Sequence, residues 1–81
     1  MNKATEAEVL GIIQKALKLK DKKVTLESLM GNIEEWDSLG HLSILVSLDQ
    51  FFQGRISPLK ELVNANSVRK ILDILKKNDL I

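Results

Sequence analysis

Apolar positions recur along this chain at helical spacing, and nowhere do they alternate as a half-buried strand requires. Val9, Ile13, Ala16 and Leu17 fall at i, i+4, i+7 and i+8, which predicts the inner face of a first helix. Thr5 followed by Glu8 has capping-box spacing, in which hydroxyl and carboxylate satisfy each other's backbone donors. The run Lys18–Lys23 is expected to close that helix, because cations suit a helix C-terminus. Positions 21–37 then form a long connection. Gly31-Asn32 signals a turn in its middle, and Val24, Leu26, Leu29, Met30 and Ile33 are available to pin it to the core. A connection this long in a compact domain is usually functional or carries a short helical turn.

A second helix is predicted to start at Asp37 or Ser38 and run to about Phe52, with Gly54 as its stop. Ser57-Pro58 reads as an N-cap followed by proline at the first helical position. It opens a short helix, roughly Pro58 to Val63, that Asn64 and Asn66 terminate. Ser67 caps a last helix in which Val68, Ile71, Leu72 and Leu75 keep i, i+3, i+4, i+7 spacing. The pattern therefore predicts an all-α fold of three longer helices and one short one, with a long first loop. No internal repeat is present, and the whole of 1–81 is expected to form a single domain.

Composition narrows the picture. Eighty-one residues lie near the lower end of what folds without disulfides or metal. Hydrophobic residues make up 44% of the chain, enough for one compact core and too many for a disordered chain of this size. Only Trp36, Phe51 and Phe52 are aromatic, so the core must be mainly aliphatic. There is no cysteine, hence no disulfide framework, zinc cluster or thiol nucleophile. Glu6 and Glu8 stand where a signal peptide would need its apolar stretch to begin, and no apolar run approaches membrane-spanning length. A soluble, unexported, cytoplasmic monomer is the expectation.

The net charge of +1 hides an uneven distribution. Lys15, Lys18, Lys20, Lys22 and Lys23 crowd into positions 14–23 against a single Asp21. From Val24 through Gly54 there is no Lys or Arg, only Glu27, Glu34, Glu35, Asp37 and Asp49. A locally acidic middle is a poor footprint for nucleic acid, which requires a basic face carrying the reading element. The second helix, the natural candidate for that element, has no cation at all, and this argues against groove binding.

A helical wheel on residues 38–52, at about 100° per residue, divides the second helix. Ile44, Leu45, Leu48, Phe51 and Phe52 gather in one wide arc, taken as the core face. Leu39, Leu42 and Val46 form a second apolar stripe, separated from that arc by Ser38 and Asp49. Gly40, Ser43, Ser47 and Gln50 fill the remainder. A helix with two apolar faces is buried on both sides or offers one to a partner. In so small a domain the second stripe is expected to be exposed, and it begins directly beside Ser38.

The stretch Trp36-Asp37-Ser38-Leu39-Gly40-His41-Leu42 carries the candidate chemistry. Asp37 is a good N-cap, which puts Ser38 in the first turn, near solvent and beside backbone N–H groups without helical partners. A phosphodiester built on Ser38 would sit in the positive field of a helix N-terminus. Read from composition alone, Asp-Ser at a helix start is also ordinary capping. Trp36 is expected to pack over the start of the second helix. His41 is expected at the surface of the first turn, against Trp36 as a staple, and a lone His without Cys makes metal binding improbable. Asp37, Ser38 and His41 include triad residue types, but there is no Gly-x-Ser-x-Gly turn and too little chain for an enclosed cleft. No catalytic residue is expected.

Asp37-Ser38-Leu39, entering an apolar helix after a long loop, resembles the attachment motif of acyl carrier proteins and related carrier domains. The resemblance covers nearly the whole chain: helix, long loop, helix, then Phe52 with Ile56, and Ser67-Val68 opening the last helix. It implies a four-helix bundle of the acyl-carrier type. It also implies that Ser38 accepts 4′-phosphopantetheine from coenzyme A through a phosphopantetheinyl transferase (holo-carrier synthase). The arm would hold acyl groups as thioesters and present them to acyl-loading and acyl-using enzymes. Asp37 and Leu39 would flank the attachment point, and Leu39, Leu42, Val46 and Asp49 would form the docking face. An aminoacyl or peptidyl carrier served by an adenylating ligase would share the same fold and serine. Carriers of primary fatty-acid synthesis are similar but strongly acidic. Gly40, Ser43 and Gln50 stand where their acids would be expected, and only Asp49 remains. The stretch from Trp36 to His41 looks more like that of accessory carrier proteins dedicated to one modification pathway.

Overall fold

A computed structural model describes residues 3–81 as an all-helical fold with three α-helices and, among the described residues, no strand. Helix α1 spans Glu6–Ala16, α2 spans Ser38–Phe51 and α3 spans Val68–Lys77, with a five-residue 3-10 helix, η1, at Lys60–Asn64. The backbone of α2 packs closely against α1 and η1, and that of α3 against the same two.

The capping box of α1 forms as its spacing predicts. Thr5 Oγ1 accepts from the Glu8 N–H at 3.1 Å, and Glu8 Oε1 accepts from the Thr5 N–H at 2.9 Å. The other end differs from expectation. The helix stops at Ala16, Leu17 is its C-cap, and Lys18 takes a left-handed φ of 56°. Leu17 and Leu19 are both buried, so the chain must leave helical phase to bring both inward. The lysine run therefore lies beyond the helix, and only Lys15 sits in the last turn. Gln14 folds the run back onto α1: its Nε2 donates to the Lys22 carbonyl at 2.6 Å, and its Oε1 accepts from the Val24 N–H at 2.8 Å.

The long connection is anchored by fewer side chains than its sequence offers. Val24 is buried, Met30 and Ile33 are half-buried, and Leu26 and Leu29 are exposed. Backbone bonding does the rest, from Met30 N–H to the Asn66 carbonyl and from Val68 N–H to the Ser28 carbonyl. Gly31 makes the predicted turn at a φ of 94°, a conformation that suits glycine.

Helix α2 ends through Gln53 and Gly54, both at positive φ. The segment after it departs from expectation. Asp49 Oδ1 accepts from the N–H groups of both Ile56 (3.1 Å) and Ser57 (3.0 Å), which ties Ser57 to α2. Ser57 therefore caps nothing, and Pro58 precedes the helix. Leu59 occupies the N-cap position of η1 without a side-chain bond, and the short helix is 3-10, starting two residues later than predicted. Helix α3 begins as expected, with Ser67 Oγ accepting from the Lys70 N–H at 3.1 Å. Val68, Ile71, Leu72 and Leu75 are all buried. The core joins these to Val9, Ile13, Trp36, Ile44, Leu48 and Leu62.

Candidate functional site

The site grows out of the entry into α2. Asp37 is the N-cap, with extended backbone, and its Oδ1 accepts from the Gly40 N–H at 2.8 Å. The N–H groups of Ser38 and Leu39 have no acceptor among the described residues. Ser38 is exposed in the first position of the helix, and its hydroxyl makes no hydrogen bond among the described residues. An anion attached there would meet free N–H donors and the positive end of the helix dipole.

The second apolar stripe is open to solvent: Leu39 is 75% exposed, Leu42 56% and Val46 48%. It begins at the residue after Ser38. Val46 also belongs to an open groove of about 350 Å³ between α2 and η1, whose floor is apolar (Leu45, Leu59, Leu62). Val63 lies across that groove and is exposed as well. The wheel of α2 alone leaves η1 out of this surface, to which Leu59, Leu62 and Val63 add further apolar groups. Asp49, read there as a docking acid, is half-buried and has one oxygen committed to the turn that follows α2. Asp49→Ala should lower stability by about 1–3 kcal/mol, because a part-buried backbone donor loses its acceptor. Denaturant unfolding measures this, and Asp49→Asn, which keeps an acceptor, should lose much less.

Two placements correct the wheel. Phe51 was assigned to the core arc but is 45% exposed, at the arc's edge and edge-on to the ring of Phe52. His41 was expected at the surface and is buried, 6% exposed. It lies between Leu48 and Phe52 on the wheel, at the middle of the core arc, and only its polar type concealed this. The burial is matched by full bonding. Trp36 Nε1–H donates to His41 Nδ1 at 3.0 Å, and His41 Nε2 lies 2.8 Å from the Leu62 carbonyl oxygen. The rings are 15° from coplanar with centroids 6.1 Å apart, so they meet edge to edge through that bond. Trp36 is buried over the start of α2, as expected.

Around this entry, Lys22 pairs with Glu35 at 3.2 Å. The Glu35 carboxyl is held below the usual carboxylate range, first by a backbone N–H and then by the Lys22 ammonium. No group of three or more His, Cys, Asp or Glu that could hold a metal ion occurs among the described residues. No helix among them is long and apolar enough to cross a membrane.

The two faces of α2 should separate in mutation. Leu48 is fully buried, so Leu48→Ala should cost about 2–5 kcal/mol in denaturant unfolding. Leu42→Ala, on the open stripe, should stay within about 0.5 kcal/mol of the parent. Equal losses would mean that the stripe is part of the core.

No family model matches this chain, and no match was found among curated proteins or solved structures.

Proposed function

We propose that this chain is an acyl carrier protein, a cytoplasmic four-helix carrier domain in which η1 is the short helix and Ser38 bears 4′-phosphopantetheine. Ser38 itself is the observation that carries the reading. It is an exposed serine with a free hydroxyl at the first position of a capped helix, one residue before an exposed apolar stripe. That arrangement suits a modification site with its docking surface alongside. In the transfer, Ser38 Oγ bonds to the pantetheine-bearing phosphorus of coenzyme A and 3′,5′-ADP leaves. The hydroxyl proton passes to a base on the transferase. Once attached, the arm supplies the thiol that carries acyl groups as thioesters, which this cysteine-free chain does not itself provide. The chain's own residues position the arm and offer Leu39, Leu42 and Val46 to the transferase and to acyl-loading and acyl-using enzymes; they catalyse nothing.

Incubation with coenzyme A and a promiscuous phosphopantetheinyl transferase tests the reading. Intact mass should rise by one phosphopantetheine group, and peptide mapping should place it on Ser38. An unchanged mass, or a group on another serine, would overturn the assignment.

The outward face of α2 supports a dedicated pathway. It is apolar or neutral except for Asp49, whose carboxylate is partly committed to the fold. Docking that relies on apolar burial gains little from a basic partner surface. A ketosynthase of primary fatty-acid synthesis should therefore use the loaded protein poorly, and Ser43→Glu with Gln50→Glu should improve that use. Both positions are exposed, so the fold should tolerate the change. Elongation at a normal rate by the unaltered protein would make it a general carrier instead.

A further inference from the structure

Trp36, His41 and Leu62 form a buried clasp that joins the end of the long loop, the first turns of α2 and η1. Each ring nitrogen has an assigned duty. Nδ1 faces an indole N–H, which can only donate, so Nδ1 must accept and carries no proton. Nε2 faces a backbone carbonyl, which can only accept, so Nε2 must carry the proton. The clasp therefore admits one form of the ring, the neutral Nε2–H tautomer.

We infer that His41 is a proton-sensitive positioning residue for the segment that carries Ser38. Protonation turns Nδ1 into a donor, and two donors then face each other across the Trp36 contact. The Leu62 side is unaffected, because the cation still donates from Nε2 and does so more strongly. The imidazole thus stays with η1 and Trp36 is the partner released. Trp36 immediately precedes Asp37, whose side chain holds the Gly40 N–H and whose carbonyl accepts from the His41 N–H at 2.8 Å. Acid should accordingly loosen Trp36, the Asp37 cap and Ser38 together, while the rest of the bundle holds. The inference concerns the fold around Ser38 and stands whether or not that serine is modified.

Charged groups on the segments that meet the ring are Glu34, Glu35 and Asp37 before and at the start of α2, and Lys60 and Glu61 on η1. All five are exposed, Glu35 is paired with Lys22, and Glu61 is paired with Lys77. Among the described residues, no charged side chain hydrogen-bonds to the imidazole. Asp37 is the one whose own protonation would also weaken the cap, so the test must separate the two.

The experiment is a pH titration of the full chain by NMR and fluorescence. His41 is the only histidine, Trp36 the only tryptophan, and there is no tyrosine, so both signals are unambiguous. Ring-nitrogen shifts should show the Nε2–H tautomer at neutral pH. As His41 protonates, the Trp36 indole N–H should lose exchange protection and tryptophan emission should change with the same midpoint. Protection of the Gly40 and His41 amides, corrected for the intrinsic effect of pH, should fall roughly three- to tenfold, as loss of one hydrogen bond implies. Core amides of α3 should keep theirs. In His41→Gln, whose amide offers an acceptor and a donor and does not titrate, this step should vanish, leaving only any step from Asp37. The opposite tautomer, an indole N–H indifferent to His41 protonation, the same step persisting in His41→Gln, or unfolding of the whole chain at that midpoint would each overturn the inference. Should His41→Gln fail to fold, the wild-type titration decides alone, since tautomer, indole and amides are read from the same sample.

Discussion

Ser38→Ala should fold as well as the parent chain and take up no phosphopantetheine. The serine is exposed at the first position of α2, its hydroxyl has no partner among the described residues, and capping is done by Asp37. Alanine is at least as good a helix former as serine, so stability should change by no more than about 0.5 kcal/mol. Loss of modification should nonetheless be complete, because the nucleophilic oxygen is gone. The other serines on or before α2 are worse placed. Ser28 Oγ accepts from the Thr25 N–H, Ser47 is half-buried, and Ser43 lies further along the helix than its N-terminal turn. Far-UV circular dichroism and intact mass on the same sample read both halves of the prediction. A folded Ser38→Ala that still gains the arm would remove Ser38 from the mechanism.

A large loss of stability from the addition of one methyl group is expected at Gly40. In an isolated helix, Gly→Ala gains about 1 kcal/mol. Here a Cβ on residue 40 would lie 2.1 Å from the Glu35 carbonyl oxygen and 2.9 Å from Leu17 Cδ2. A leucine methyl can shift, but a backbone carbonyl moves only if the segment entering α2 moves with it. Overpacking of this kind typically costs about 1–3 kcal/mol and occasionally more. With backbone rather than a side chain in the way, Gly40→Ala should lose about 3 kcal/mol despite its better propensity. Thermal or denaturant unfolding measures this, with Ser43→Ala on the exposed face of the same helix as the control. If Gly40→Ala is as stable as the parent, the loop does not press on α2 as described. The contact also changes the meaning of the residue. Gly40 stands where an acidic carrier would be expected to place an acid, but packing leaves no room there for a side chain, and only Ser43 and Gln50 bear on the charge of the proposed docking face.

Periodicity was enough to locate the three α-helices, because each buries a face against neighbours and so repeats its apolar residues every third or fourth position. The caps at Thr5, Asp37 and Ser67 were equally legible, since a cap is a bond between residues three apart in the chain. The exposure of Leu39, Leu42 and Val46 followed from their angular separation from Ile44 and Leu48. What depends on distant residues was not legible. The inward turn of both Leu17 and Leu19 ends α1 early. The reach of Asp49 to Ile56 and Ser57 displaces the short helix and turns a surface acid into an internal tie. The carbonyl of Glu35 makes residue 40 a glycine. His41 was hidden for a related reason: a pattern of hydrophobicity registers a polar ring as surface, whereas an indole N–H and a carbonyl from elsewhere in the chain make its burial favourable. Sequence spacing therefore determined the helices, their faces and the serine between them. Tertiary contacts decided which polar groups serve the fold and which remain free to meet a partner.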